Sequence, residues 1–201
     1  ADLNWKDATF IALDLETSGK YPLDAEICEI AAVKWQGGQI VDEYHTLVKP
    51  SRPMGAEVIA IHNISNEMVE NAPAIKDVIH KFHTFIQGSF LMAHHAPFDL
   101  GFLSVEFEKA RLPLPSLPVF CTCLLARRLF PESENHRLVT LAKLLDIDTG
   151  QAHRALDDAK ACLQLGLKNF ERAGESARIT EIFEHQGGDI PWAQFSINDL
   201  R

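Results

Sequence analysis

The sequence predicts an α/β domain built on a mixed five-stranded sheet, and two observations predict it. Three β-rich runs come first, at residues 9–15, 27–35 and 39–48. Helical patterns then alternate with two shorter apolar runs, at residues 89–93 and 117–121. Neighbouring early strands pair antiparallel, and strands separated by a helix pair parallel, so one sheet holds both kinds of pairing with helices on its faces.

The first run, TFIALDL at 9–15, is apolar without alternation, as a strand covered on both faces requires. A turn-rich segment with Ser18, Gly19 and Pro22 leads to the second run, and Gly37-Gly38 joins the second to the third as a hairpin. Ser65 caps a short helix beginning at Asn66. Pro73 fits the first turn of a longer helix whose buried stripe is Ile75, Val78, Ile79, Phe82, Phe85 and Ile86. Residues 98–110 read as an amphipathic helix ended by the prolines at 113, 115 and 118. Further helices are expected at 122–130, 138–145 and 155–171. The last segment carries one more helix at 176–185 and then Gly187-Gly188, Pro191, Trp192 and Phe195, aromatics expected to pack back on the domain rather than dock a partner. The expected division is a domain over 1–173 and a C-terminal extension over 174–201.

With 28 acidic against 19 basic side chains, the net charge of −9 excludes a simple basic nucleic-acid coat. Apolar residues at 46% and charged residues at 23% exclude disordered and fibrous classes. No run approaches the roughly 18 apolar residues of a membrane helix, and the first residues lack a basic region followed by an apolar one. No membrane partner and a cytoplasmic location are therefore expected. Cys28, Cys121, Cys123 and Cys162 are scattered, with Cys121 and Cys123 too closely spaced for a zinc knuckle, so they read as reduced, buried thiols.

Chemistry concentrates at strand ends and helix starts. In Asp14-Leu15-Glu16 a period of two places both carboxylates on one face of the first strand. Clustered half-buried acids cost several kcal/mol unless neutralised, and no Lys or Arg lies between Thr9 and Gly19, so a divalent cation is the natural counter-charge. Solvation at a strand end is the alternative. Asp99 follows Phe98 at a strand-to-helix junction, where open α/β sheets place their sites, although the helix dipole alone also favours an acid there. His153 and Asp158 are five residues apart, about 140° around a helix. They cannot share a helical face, so His153 belongs to the preceding loop and Asp158 to the first turns, beside Ala155 and Cys162. Taken together, four acids and a histidine match the ligand set of a two-metal phosphoryl-transfer site, and hard oxygen ligands select Mg²⁺ or Mn²⁺.

The segments Asp14-Leu15-Glu16-Thr17-Ser18-Gly19, His95-x-x-Phe98-Asp99 and His153-x-x-x-x-Asp158 resemble the three motifs of the DEDDh, or DnaQ-like, 3′–5′ exonucleases, including the proofreading epsilon type. The resemblance spans roughly residues 9–172 and implies an RNase H-like fold. It implies that Asp14 bridges two cations, that Glu16 and Asp158 complete the first site, that Asp99 serves the second, and that His153 removes a proton from the attacking water. An imidazole with an ordinary pKa of about 6.5 suits that task near neutral pH. The family spacing selects Asp158 over the adjacent Asp157. Thr17, Ser18 and Gly19 match contacts to the terminal 3′ nucleotide, Phe98 matches an aromatic flanking the terminal base, and His62 and Ile64 match residues beside the sugar or base. Phe98 can equally be read as a core side chain.

Three departures stand out. His95, matched to a substrate-side position, occupies the place of a usual Asn that hydrogen-bonds near the substrate, Asn63 that of a usual Gly, and Cys121 that of an Asp before Thr122. Asn tolerates a positive φ, so the turn at Asn63 is expected to persist. The implied activity is hydrolysis at the 3′ end of single-stranded or frayed DNA, releasing nucleoside 5′-monophosphates, freestanding or beside a polymerase or another replication or repair partner. RNA is an alternative substrate, and a catalytically silent binding module is the alternative from another class.

Overall fold

The computed structural model describes residues 2–151 and 154–200. Its strands are β1 (Phe10–Thr17), β2 (Ile27–Gln36), β3 (Gln39–Leu47), β4 (Phe90–Ala93) and β5 (Phe120–Cys121), in the order β3-β2-β1-β4-β5. The β1–β2 and β2–β3 pairs are antiparallel, and β1–β4 and β4–β5 are parallel, as the order of runs and helices predicts. β1 lies at the centre, which explains its unbroken apolarity. Ile11, Leu13 and Leu15 enter one core layer, and Phe10 and Ala12 enter the other. Gly37 and Gly38 take φ of 62° and 89°, the conformation that a two-residue hairpin turn needs.

The helices are α1 (Ala56–His62), α2 (Asn66–Val69), α3 (Ile75–Ile86), α4 (Ala96–Lys109), α5 (Thr122–Leu129), α6 (Leu138–Leu144), α7 (Ala155–Ala173), α8 (Ile179–His185) and α9 (Ile197–Leu200). α3 and α4 cover one face of the sheet through Val78, Phe82, Leu100 and Leu103. α7 and α8 cover the other through Ala159, Cys162, Phe170 and Phe183. Each large side chain buried in this way contributes about 1.5–3 kcal/mol relative to exposure. The tail packs back on the domain: Ile190, Trp192 and Phe195 join the α3–α4 layer, with the Trp192 ring 5.7 Å from that of Phe107. All four cysteines are unpaired and buried. No helix among the described residues is long and apolar enough to cross a membrane.

Several boundaries differ from expectation for identifiable reasons. α1 carries no sequence signal strong enough to announce it, because its cap position, Gly55, offers no side-chain hydrogen bond. α3 starts after Ala74, leaving Pro73 outside the first turn, because the Pro73 carbonyl accepts from Lys49 N–H at 2.8 Å. α4 begins at Ala96 rather than 98, so Asp99 sits inside its first turn instead of at the cap. Residues 117–119 stay out of β5, and Val119 N–H donates to the Ile190 carbonyl at 3.0 Å. α8 starts at Ile179 rather than 176, because residues 177 and 178 pair with the N-terminal segment at Trp5 and Asn4.

Candidate active site

β1 carries Asp14 and Glu16 in phase with Phe10 and Ala12, which face α7. On α7, Asp158 stands among Ala155, Ala159 and Cys162, three small side chains buried in that same layer. Farther along the helix, Gly166 permits close approach to β4, since a Cβ there would collide with the Met92 sulfur. The carboxylate oxygens of Asp14, Glu16 and Asp158 consequently lie within 4.8 Å of one another. Asp157 takes a different task. Its Oδ2 accepts from Gln151 N–H at 2.9 Å.

Asp99, buried in the first turn of α4, accepts from the backbone of Leu15 and lies close enough to Asp14 to repel it. Burial pushes the Asp14 carboxyl well above the usual carboxylate range, and the charges of Asp99, Glu16 and Asp158 push it further. Burial also raises Asp99. Glu16 is pushed up to about 7, by burial first and then by Asp158 and Glu29. Asp14 Oδ2 is buried and has no hydrogen-bond partner among the described residues. An orphaned buried oxygen among mutually repelling acids is the signature of a site built for positive charge, and all-oxygen donors suit hard divalent cations. His153 lies outside the described residues.

Beside these acids opens a cleft of about 400 Å³, lined by Glu16, Thr17, Ser18, Gly19, His62 and Phe98 among others. Its floor is stapled: Thr17 Oγ1 donates to the Gly19 carbonyl at 2.6 Å, and Ser18 N–H donates to the Glu26 carbonyl at 2.8 Å. Phe98 is 39% exposed, which removes the core reading and makes it an open wall. His62 lines the cleft with its side chain buried, Nδ1 accepting from Ile64 N–H at 3.0 Å.

Two expected contacts are corrected. Ile64 is fully buried against Cys28, Met54 and Val69 and cannot border a sugar or base. The helical turn of α1 instead turns Ile61 outward, 61% exposed and lining the cleft with Val58. His95 adopts φ 63° as the cap of α4 and lines a separate pocket with Cys123 and Arg127 rather than this cleft. Asn63 holds φ 60° at the end of α1, so the turn expected there persists.

Glu29 was not legible as a site residue. It sits on β2 opposite Glu16, buried, with Oε2 paired to His45 Nε2 at 2.7 Å. Its Oε1 accepts from Ala155 N–H at 3.3 Å, tying the sheet to the start of α7. The available signal was one acid inside the apolar run ICEIAAV.

Comparison with known proteins identifies the family. A family model described as Exonuclease matches residues 11–165. The PolC-type DNA polymerase III of Oceanobacillus iheyensis is 40% identical over 189 residues, which is 93% of this chain and 13% of that protein. The corresponding polymerase of Thermotoga maritima is 41% identical over 183 residues, 91% of this chain and 13% of that protein. The chain thus spans a small part of the curated relatives it matches. Among solved structures, Exonuclease X in complex with 5′ overhanging duplex DNA is 32% identical, with a TM-score of 0.64, covering 81% of this chain and 91% of that one. E. coli Exonuclease I in complex with a dA16 oligonucleotide shares the fold at 15% identity and a TM-score of 0.71, covering 83% of this chain and 43% of that one.

Proposed function

The chain belongs to the exonuclease family, and on that premise we propose that it hydrolyses phosphodiester bonds at the 3′ end of single-stranded or frayed DNA, releasing nucleoside 5′-monophosphates. The observation that carries this reading is the convergence of Asp14, Glu16 and Asp158 within 4.8 Å, with buried Asp99 beside them, at the head of a cleft with apolar walls. The DNA named in the Exonuclease X structure and the polymerase context of the relatives support DNA as substrate and a replication or repair setting in the cytoplasm.

In this reading Asp14, Glu16, Asp99 and Asp158 hold two divalent cations, Mg²⁺ or Mn²⁺. When bound, such cations offset the clustered negative charge and stabilise charge on the phosphate under attack. Phe98 and Ile61 sandwich the terminal base, and stacking of this kind is worth about 1–3 kcal/mol without reading sequence. The stapled Thr17–Gly19 backbone borders the terminal sugar. His153, which lies outside the described residues, takes the proton of the attacking water. Residues 1–173 form the nuclease unit, and 174–201 are an extension that braces it.

The test is incubation of 5′-labelled DNA and RNA oligonucleotides, single- and double-stranded, with Mg²⁺, with EDTA, and with an Asp14→Asn control. Stepwise shortening of DNA from the 3′ end, lost in EDTA and in the variant, is expected. Preferential shortening of RNA would overturn the DNA assignment. Equal activity in wild type and Asp14→Asn would show a contaminant and favour a silent binding module.

A further inference from the structure

Across the sheet edge from the acidic cluster, the structure brings together three side chains that the sequence keeps apart: His94 and His95, where β4 passes into α4, and Cys123 in the first turn of α5. One ligand atom of each lies within 4.8 Å of those of the other two. From this arrangement we propose that His94, His95 and Cys123 form a binding site for a soft or borderline divalent cation of the Zn²⁺ class, separate from the acidic site.

The donor chemistry differs from that of the acidic cluster, where every ligand is a carboxylate. One thiolate and two imidazoles favour zinc or cobalt over magnesium. The surroundings are built for ligation. The His136 carbonyl lies 2.8 Å from His94 Nε2 and 3.6 Å from Cys123 Sγ, so before any metal binds both groups donate to it. The second nitrogen, Nδ1, lies 2.9 Å from Thr122 Oγ1, which holds the ring in the way metal-binding imidazoles are held, and the Ala93 carbonyl stands within reach of that hydroxyl. That carbonyl, or a water beside it, stands where a fourth ligand belongs.

His95 reaches the group from a left-handed backbone conformation, φ 63°, at the cap of α4. Its ring stands edge-on to His94, with centroids 5.1 Å apart. A pocket of about 370 Å³, lined by His95, Cys123, Arg127 and His136, opens the group to solvent. Tetrahedral zinc sets neighbouring ligand atoms roughly 3.5 Å apart, so the three side chains close by about 1 Å on binding. The thiol releases its proton to solvent, and the His94 proton passes from Nε2 to Nδ1, where Thr122 Oγ1 accepts it and donates in turn to the Ala93 carbonyl.

Cobalt titration of EDTA-stripped protein, in excess Mg²⁺ to saturate the acidic site, tests the proposal. Wild type and Asp14→Asn are expected to show the same near-ultraviolet thiolate-to-cobalt charge-transfer band, displaced by Zn²⁺. Cys123→Ser, nearly isosteric, should lose the band and bind Zn²⁺ at least about tenfold more weakly by competition with a chromophoric chelator. His94→Gln should weaken binding similarly while circular dichroism reports the fold. Absence of the band in wild type overturns the site. A band that persists in Cys123→Ser overturns it in favour of another cysteine, and one that disappears in Asp14→Asn assigns the metal to the acidic cluster. None of these outcomes depends on nuclease activity.

Discussion

Glu16 ties the stability of the metal-free protein to pH. Its carboxyl is raised from 4.5 to about 7, by burial first and then by the charges of Asp158 and Glu29. The folded value lies above the unfolded one, so the protonated group costs nothing. The cost of holding it ionised grows as pH rises from 4.5 and is complete above about 7. At about 1.4 kcal/mol per unit, the shift corresponds to roughly 3 kcal/mol, and partial solvation of the side chain reduces this to about 2 kcal/mol. For a chain of this size that is a fall in melting temperature of about 5 °C. Thermal unfolding of EDTA-treated wild type and Glu16→Gln, followed by circular dichroism from about pH 5 to about pH 8, isolates the effect. Wild type should lose stability relative to Glu16→Gln across that range, and saturating Mg²⁺ at the alkaline end should restore wild type far more than the variant. Parallel pH curves for the two proteins would refute the electrostatic account of the cluster.

Other consequences are equally direct. Asp158→Asn should abolish metal-dependent nuclease activity, whereas Asp157→Asn should leave kcat nearly intact and lower stability by no more than about 1 kcal/mol, since the amide oxygen still accepts from Gln151 N–H without the charge that strengthens that bond; the reverse pattern in a labelled-oligonucleotide assay would exchange their roles. Ile61→Ala or Phe98→Ala should raise KM about tenfold with little change in melting temperature, because both side chains are exposed walls rather than core. Gly166→Ala should cost about 1–3 kcal/mol in urea unfolding, since its Cβ meets the Met92 sulfur and pushes α7 off β4.

Asp14, Glu16 and Asp99 were legible because each occupies a position where local periodicity alone restricts where a side chain can point. A period of two aligns the first pair on one strand face, and a junction after a strand places the third. Asp158 was placed in the first turns of its helix by helical geometry, but its choice over Asp157 came from the family spacing. Ile61 was missed, and Ile64 misplaced, because α1 is a single short helix without a capping side chain, and only the turn it makes decides which residue faces the cleft. Glu29 was missed because its meaning depends on register: it acquires partners only when β2 pairs with β1 opposite Glu16 and α7 arrives with Ala155 N–H.

By itself, then, the sequence determined what short-range chemistry determines: the strand and helix periods, the mix of antiparallel and parallel pairing, and the acids that local geometry places at strand ends and helix starts. The tertiary structure alone decided which distant groups meet, including Glu29 with Ala155, and Cys123 with two histidines nearly thirty positions before it. The physical reason is that hydrophobic patterning specifies burial within each element, whereas the meeting of side chains from different elements depends on packing distances such as the close approach of α7 at Gly166.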